Sequence, residues 1–124
     1  MTTVSRSAQH GALSRGVFAL VVLVSLAVLF APSSDVPSAA PGVDKVVHLS
    51  LFLALALSAR WAGVGRQVAA VSLLAYAAVS EVLQGTDLIG RDAEVLDWVA
   101  DAVGVLLGLL LWQVSRRSAG SRVR

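Results

Sequence analysis

The sequence predicts an all-α fold, a four-helix transmembrane bundle with both termini in the cytoplasm, and three observations carry that prediction. The 124 residues are 56% hydrophobic and only 15% charged, with a mean hydropathy of +0.77, a balance wrong for a water-soluble domain of this size. Four apolar windows approach the roughly 20 residues that an α-helix needs to cross the hydrocarbon of a bilayer. The basic residues fall on alternate sides of those windows.

Residues 1–15 read as a cytoplasmic N-terminal tail, followed by a four-span membrane domain over 16–114. Span one covers about 16–31. The stretch PSSDVPSAAPG then holds all three prolines, which pin the backbone away from helix and make a true linker. Span two covers about 46–62, span three 68–83 and span four 98–114, joined by short loops, and 115–124 form a basic cytoplasmic tail. Each apolar core is slightly short. Arg15, Arg60 and Arg66 make up the difference by burying their aliphatic stems and lifting the guanidinium to the interface, where Trp61 and Trp112 also fit.

Orientation follows from the ten Lys and Arg residues. Arg6, Arg15, Arg60, Arg66, Arg116, Arg117, Arg122 and Arg124 flank one side of the spans, against Lys45 and Arg91 on the other, so both termini face the cytoplasm. An alternative treats span one as a secretory signal cleaved near Ser38 to Ala40, which leaves the remaining topology unchanged.

Composition also removes options. With no cysteine there are no disulfides, no thiolate catalysis and no Cys-ligated metal, so a metal would need His and carboxylate ligands, and only two histidines exist. The net charge of +2 reflects arginines crowded into the C-terminal tail, where they suit anionic lipid headgroups rather than nucleic acid.

Polar residues inside such spans are the candidate site. Asp44, Lys45 and His48 open span two, with Asp44 expected as the N-cap of a helix beginning at Lys45 and His48 one turn from both. Glu81 and Gln84 lie one turn apart near the exit of span three. Loop three supplies Asp87, Arg91, Asp92 and Glu94, residues that can simply solvate a loop, although the planar fork of Arg91 also suits phosphate. Span four carries Asp97 and Asp101 on the face that also presents Gly104 and Gly108, so that face should meet a neighbouring helix closely. On the predicted topology every one of these acids sits in the outer half of the membrane. Asp44, Glu81, Asp97 and Asp101 outnumber Lys45 and Arg91, which leaves room for a proton, a metal ion or a cationic ligand.

This constellation resembles the VanZ-like family of small bacterial membrane proteins, over roughly residues 44–108. The family pattern reads DK..H at one helix start, E..Q at a later helix end, an arginine, then D...N and spaced glycines; here it is Asp44, Lys45 and His48, Glu81 and Gln84, Arg91, Asp97, Asp101, Gly104 and Gly108. Leu49 stands where an aromatic is usual and Asp101 where asparagine is usual. The resemblance implies a multi-pass protein of the bacterial cytoplasmic membrane with a link to low-level resistance to teicoplanin-type glycopeptides.

The reading that follows is an outward-facing polar pocket that binds or modifies a cell-envelope component, a lipid-linked phosphate or glycan. Lys45 and Arg91 would hold anionic groups, His48 or Glu81 would act as general acid or base, and Asp97 would orient it, with Asp44, Gln84 and Asp101 in support. Membrane lipids are the expected surroundings, and four short helices are compatible with a homo-oligomer. A second reading is a non-catalytic scaffold whose buried ion pairs fix helix packing. A proton-coupled carrier is least favoured, because the inner halves of spans two to four hold no acid.

Overall fold

The computed structural model describes residues 3–32, 42–86, 90 and 94–122, with side chains from residue 11 onward. The described residues are all-helical, without a strand: α1 spans Thr3–Leu29, α2 Val43–Trp61, α3 Arg66–Gln84 and α4 Val95–Ser121. Arg91, Asp87 and Asp92 lie outside the described residues, as does the segment around Ser38 to Ala40.

The two segments expected as tails continue the helices beside them, since α1 is already helical at Thr3 and α4 remains so at Ser121. Neither segment contains a proline to stop a helix. The N-terminus of α2 also differs from expectation. Gly42, at a φ of 87°, is the residue before the helix, and Asp44 lies in the first turn without capping it through its side chain. The left-handed backbone at that cap suits a residue without Cβ, and Asp44 instead places its carboxylate against the positive end of the helix dipole. At the other end, Gly63 N–H bonds to Arg60 O and Val64 N–H to Ala59 O, with Gly63 at a φ of 94°, the Schellman arrangement that ends a helix.

α2 is the hub of the bundle. It packs on α1, α3 and most extensively on α4, while α3 also packs on α4. Close approach of α2 and α4 is possible because Gly104 and Gly108 are buried against the backbone of Leu49 and Leu53 and the methyl of Ala56. That is the packing role expected of these glycines. The core is made of small and medium apolar residues, including Phe52, Leu55, Ala56, Ala69, Leu73, Ala77, Val105 and Leu109.

The exterior is inverted relative to a water-soluble protein. Leu20, Leu23, Val68, Val71, Val82, Leu106 and Leu110 are each exposed, whereas Ser25, His48, Ser80, Glu81, Gln84, Asp97 and Asp101 are buried. Such a surface would be unstable in water and suits hydrocarbon, where polar groups must find partners inside. Three of the helices contain segments long and apolar enough to cross a membrane: Gly11–Leu29, Arg66–Gln84 and Val95–Ser121. α2 falls short of that apolar standard because Asp44, Lys45 and Arg60 crowd its two ends. Its place among the other three shelters what those charges flank.

α1 is joined to α3 by polar contacts. The Ser25 hydroxyl and Tyr76 hydroxyl are 3.0 Å apart, and Gln84 Nε2 donates to Leu29 O at 2.8 Å. The Tyr76 ring lies between Phe30 and Phe52, at 6.5 and 5.7 Å between centroids. Gln84→Leu keeps the side chain's bulk and removes the donor. It should lower stability in detergent by about 0.6–1 kcal/mol, the usual size of an interhelical hydrogen bond. Thermal unfolding followed by circular dichroism checks this, and an unchanged Tm would show that the tie carries no weight.

A candidate ionisable site at one end of the bundle

The start of α2, the end of α3 and the start of α4 meet at the same end of the bundle, and each brings polar side chains. His48 is one turn into α2 and 2% exposed; Asp101 is on the second turn of α4 and fully buried. Their side chains meet, with His48 Nδ1 2.7 Å from Asp101 Oδ1. With Asp101 ionised, Nδ1–H donates to the carboxylate and the ring is held in one orientation. His48 Nε2 then points toward Asp97 Oδ2, 4.0 Å away, with no hydrogen bond.

Lys45 closes the outer edge. Its ammonium lies 2.8 Å from Glu94 Oε2, 3.3 Å from Asp97 Oδ1 and 3.5 Å from Asp44 Oδ2. The hydrogen bond to Glu94, together with Asp97, holds this lysine well above its ordinary pKa, so it is a fixed cation. Sequence spacing had suggested that His48 reaches Asp44 or Lys45 within α2. The structure pairs it across the bundle with α4 instead.

Glu81 finds its partner in the backbone at the start of α4. No cation from Lys45 reaches it; Oε1 accepts the backbone N–H of Glu94 at 2.5 Å. Glu94 is the residue preceding α4, and its carbonyl accepts from Asp97 N–H at 3.0 Å. The Glu81 carboxylate therefore sits at the start of α4, where free N–H groups and the helix dipole favour an anion. Its second oxygen, Oε2, is buried with no hydrogen bond, as is Asp101 Oδ2.

The expected residues His48, Glu81, Asp97 and Asp101 thus converge, with Asp44 and Lys45 at their rim. Gln84 does not join them through hydrogen bonding, because its amide donates to Leu29 on α1. Arg91 lies outside the described residues. Sequence reasoning assigned Glu94 only to loop solvation, yet its carboxylate ties down Lys45 and its backbone N–H donates to Glu81. Its place immediately before the apolar run of α4 was the available signal.

A groove of about 270 Å³ opens between α3 and α4 beside this cluster. Ala78, Val82, Val95 and Trp98 form its apolar walls, and Glu81 and Glu94 its polar end. A second opening of about 460 Å³ lies at the opposite end, lined by Arg60, Arg66, Trp112, Arg116 and Arg117 among others.

No family model, curated protein or solved structure matches this chain.

Proposed function

We propose that the chain is a VanZ-like integral membrane protein of the bacterial cytoplasmic membrane, whose polar cluster faces outward and binds or modifies a lipid-linked phosphate or glycan of the cell envelope. The observation that supports this reading is the meeting of His48, Glu81, Asp97 and Asp101 beside an apolar groove that opens between α3 and α4. In it, Asp101 orients His48, and His48 Nε2 is the atom placed to take up or release a proton. This differs from the expected division of labour, in which Asp97 was the orienting acid. The link to teicoplanin-type glycopeptides belongs to the same proposal, as do both cytoplasmic termini and the passage of α2 through the membrane.

The test is made in a glycopeptide-sensitive bacterial host. Wild-type protein should raise the teicoplanin concentration that inhibits growth, whereas His48→Ala and Glu81→Gln at equal membrane levels should not. Resistance retained by both variants would end the proposal. Orientation is read in the same cells from single cysteines at Val43, Gln67, Val95 and Ser118. An impermeant maleimide should label positions 43 and 95 only.

A second reading, a non-catalytic scaffold, is favoured by one feature: Lys45 and Glu81 both use Glu94 to join α2, α3 and α4. Under it, Glu81→Gln lowers Tm and the fraction that folds retains full resistance.

A further inference from the structure

After every internal hydrogen bond is made, His48 Nε2, Glu81 Oε2 and Asp101 Oδ2 remain buried without a hydrogen-bond partner among the described residues. The three residues come from three different helices and are 2%, 6% and 0% exposed. Each offers one ligand atom, a ring nitrogen of His48 and one carboxylate oxygen of each acid, and the atoms of such a set lie within 4.8 Å of one another. We infer that His48, Glu81 and Asp101 bind one divalent cation of the Mn²⁺ or Zn²⁺ type. This inference rests on the proposed function, which it deepens by naming what would meet an anionic headgroup at the site.

The donor set is one imidazole and two carboxylates, suited to Mn²⁺ and Zn²⁺. Metal–ligand distances of about 2.0–2.2 Å put ligand atoms within about 4.4 Å of each other, so the observed spread closes with shifts of a few tenths of an ångström. The ring nitrogen that faces this trio is Nδ1, 2.7 Å from Asp101, and the cation would take the place of the proton on that nitrogen, while Nε2 stays turned toward Asp97.

A neighbouring trio makes an internal comparison. Asp44, Glu94 and Asp97 likewise bring ligand atoms within 4.8 Å of one another. There the Lys45 ammonium already lies between 2.8 and 3.5 Å from all three carboxylates. The inner trio has no such ammonium among the described residues. A dication there would do for Glu81 and Asp101 what Lys45 does for the rim.

Charge makes the same point about the ligand. Asp44, Glu81, Glu94, Asp97 and Asp101 are five acids against Lys45 as the fixed cation of the described cluster. Five carboxylates repel a phosphate. A cation held by three protein ligands keeps a coordination position open, through which a phosphate or glycan oxygen can bind.

Full-length protein in detergent, stripped with a chelator, is titrated with MnCl₂ while the paramagnetic resonance signal of free Mn²⁺ is followed. One Mn²⁺ should bind per chain and Zn²⁺ should displace it. Glu81→Gln and Asp101→Asn should each weaken binding by about tenfold or more, and Asp44→Asn should leave it unchanged. Wild-type protein of native helicity that binds neither ion at millimolar concentration overturns the inference. So does binding that Asp44→Asn weakens and Glu81→Gln does not. Should Asp101→Asn fail to fold, the wild type and Glu81→Gln decide. No substrate enters this titration, so its failure beside a loss of resistance in His48→Ala removes the cation and keeps the proposed function. Intact binding beside retained resistance does the reverse.

Discussion

Gly104→Ala is expected to destabilise the bundle by about 1–3 kcal/mol, the range for forcing extra volume into a packed interior. A Cβ at Gly104 would collide with the carbonyl oxygen of Leu49 and would sit 3.1 Å from Leu53 N and 3.2 Å from Leu49 C. These are backbone atoms of α2, so no rotamer change relieves the collision and the two helices must separate. Gly108→Ala should act similarly, its Cβ meeting Ala56 Cβ at 2.6 Å and Leu53 O at 2.8 Å. Gly16 serves as control, since nothing lies within 4 Å of an added Cβ there. Thermal unfolding in detergent should rank Gly104→Ala well below Gly16→Ala, and equal stability of the two would refute the close approach. Leu49 follows His48 in the chain, and Asp101 lies one turn before Gly104. A separated helix pair should therefore also stretch the His48–Asp101 contact.

Asp101→Ala is expected to cost about 1–3 kcal/mol by leaving His48 Nδ1 buried without its acceptor. Asp101→Asn retains an amide oxygen for the same N–H and should lose much less. The ratio between the two isolates the hydrogen bond from the charge, because both substitutions remove the carboxylate. If charge repulsion among Asp97, Glu81 and Asp101 were dominant, both variants would gain stability. Equal Tm values for the two would mean that the bond to His48 contributes nothing, and the orientation assigned to that ring would be lost with it.

Much of the architecture was legible because hydropathy alone sets it. Four apolar runs separated by a proline-rich linker and short polar loops each coincide with one of the four helices seen, 68–83 and 98–114 lying inside α3 and α4, and 16–31 and 46–62 overrunning the ends of α1 and α2 at Leu29 and Trp61. The acids and glycines of α4 could be put on one face by counting turns, and that face does meet α2. Partner choice was not legible. His48 and Asp101 are 53 residues apart, Ser25 and Tyr76 51, and Gln84 and Leu29 55. Helical spacing speaks only of neighbours one turn away, so it paired His48 within α2 and offered no partner for Glu81, which finds a backbone N–H 13 residues on. The start of α2 was misplaced for a local reason. An aspartate near a helix start reads as a cap, but Gly42 supplies a left-handed backbone that needs no capping side chain.

Between the acidic end and the arginine-lined end, the middle of the bundle is filled by Leu55, Ala56, Ala59, Leu73, Val105 and Leu109. Such a dry septum insulates. An unpaired ion crossing it would face a Born penalty on the order of tens of kcal/mol. The septum thus keeps the carboxylates of one end and the arginines of the other electrically apart, each set answering to its own surroundings.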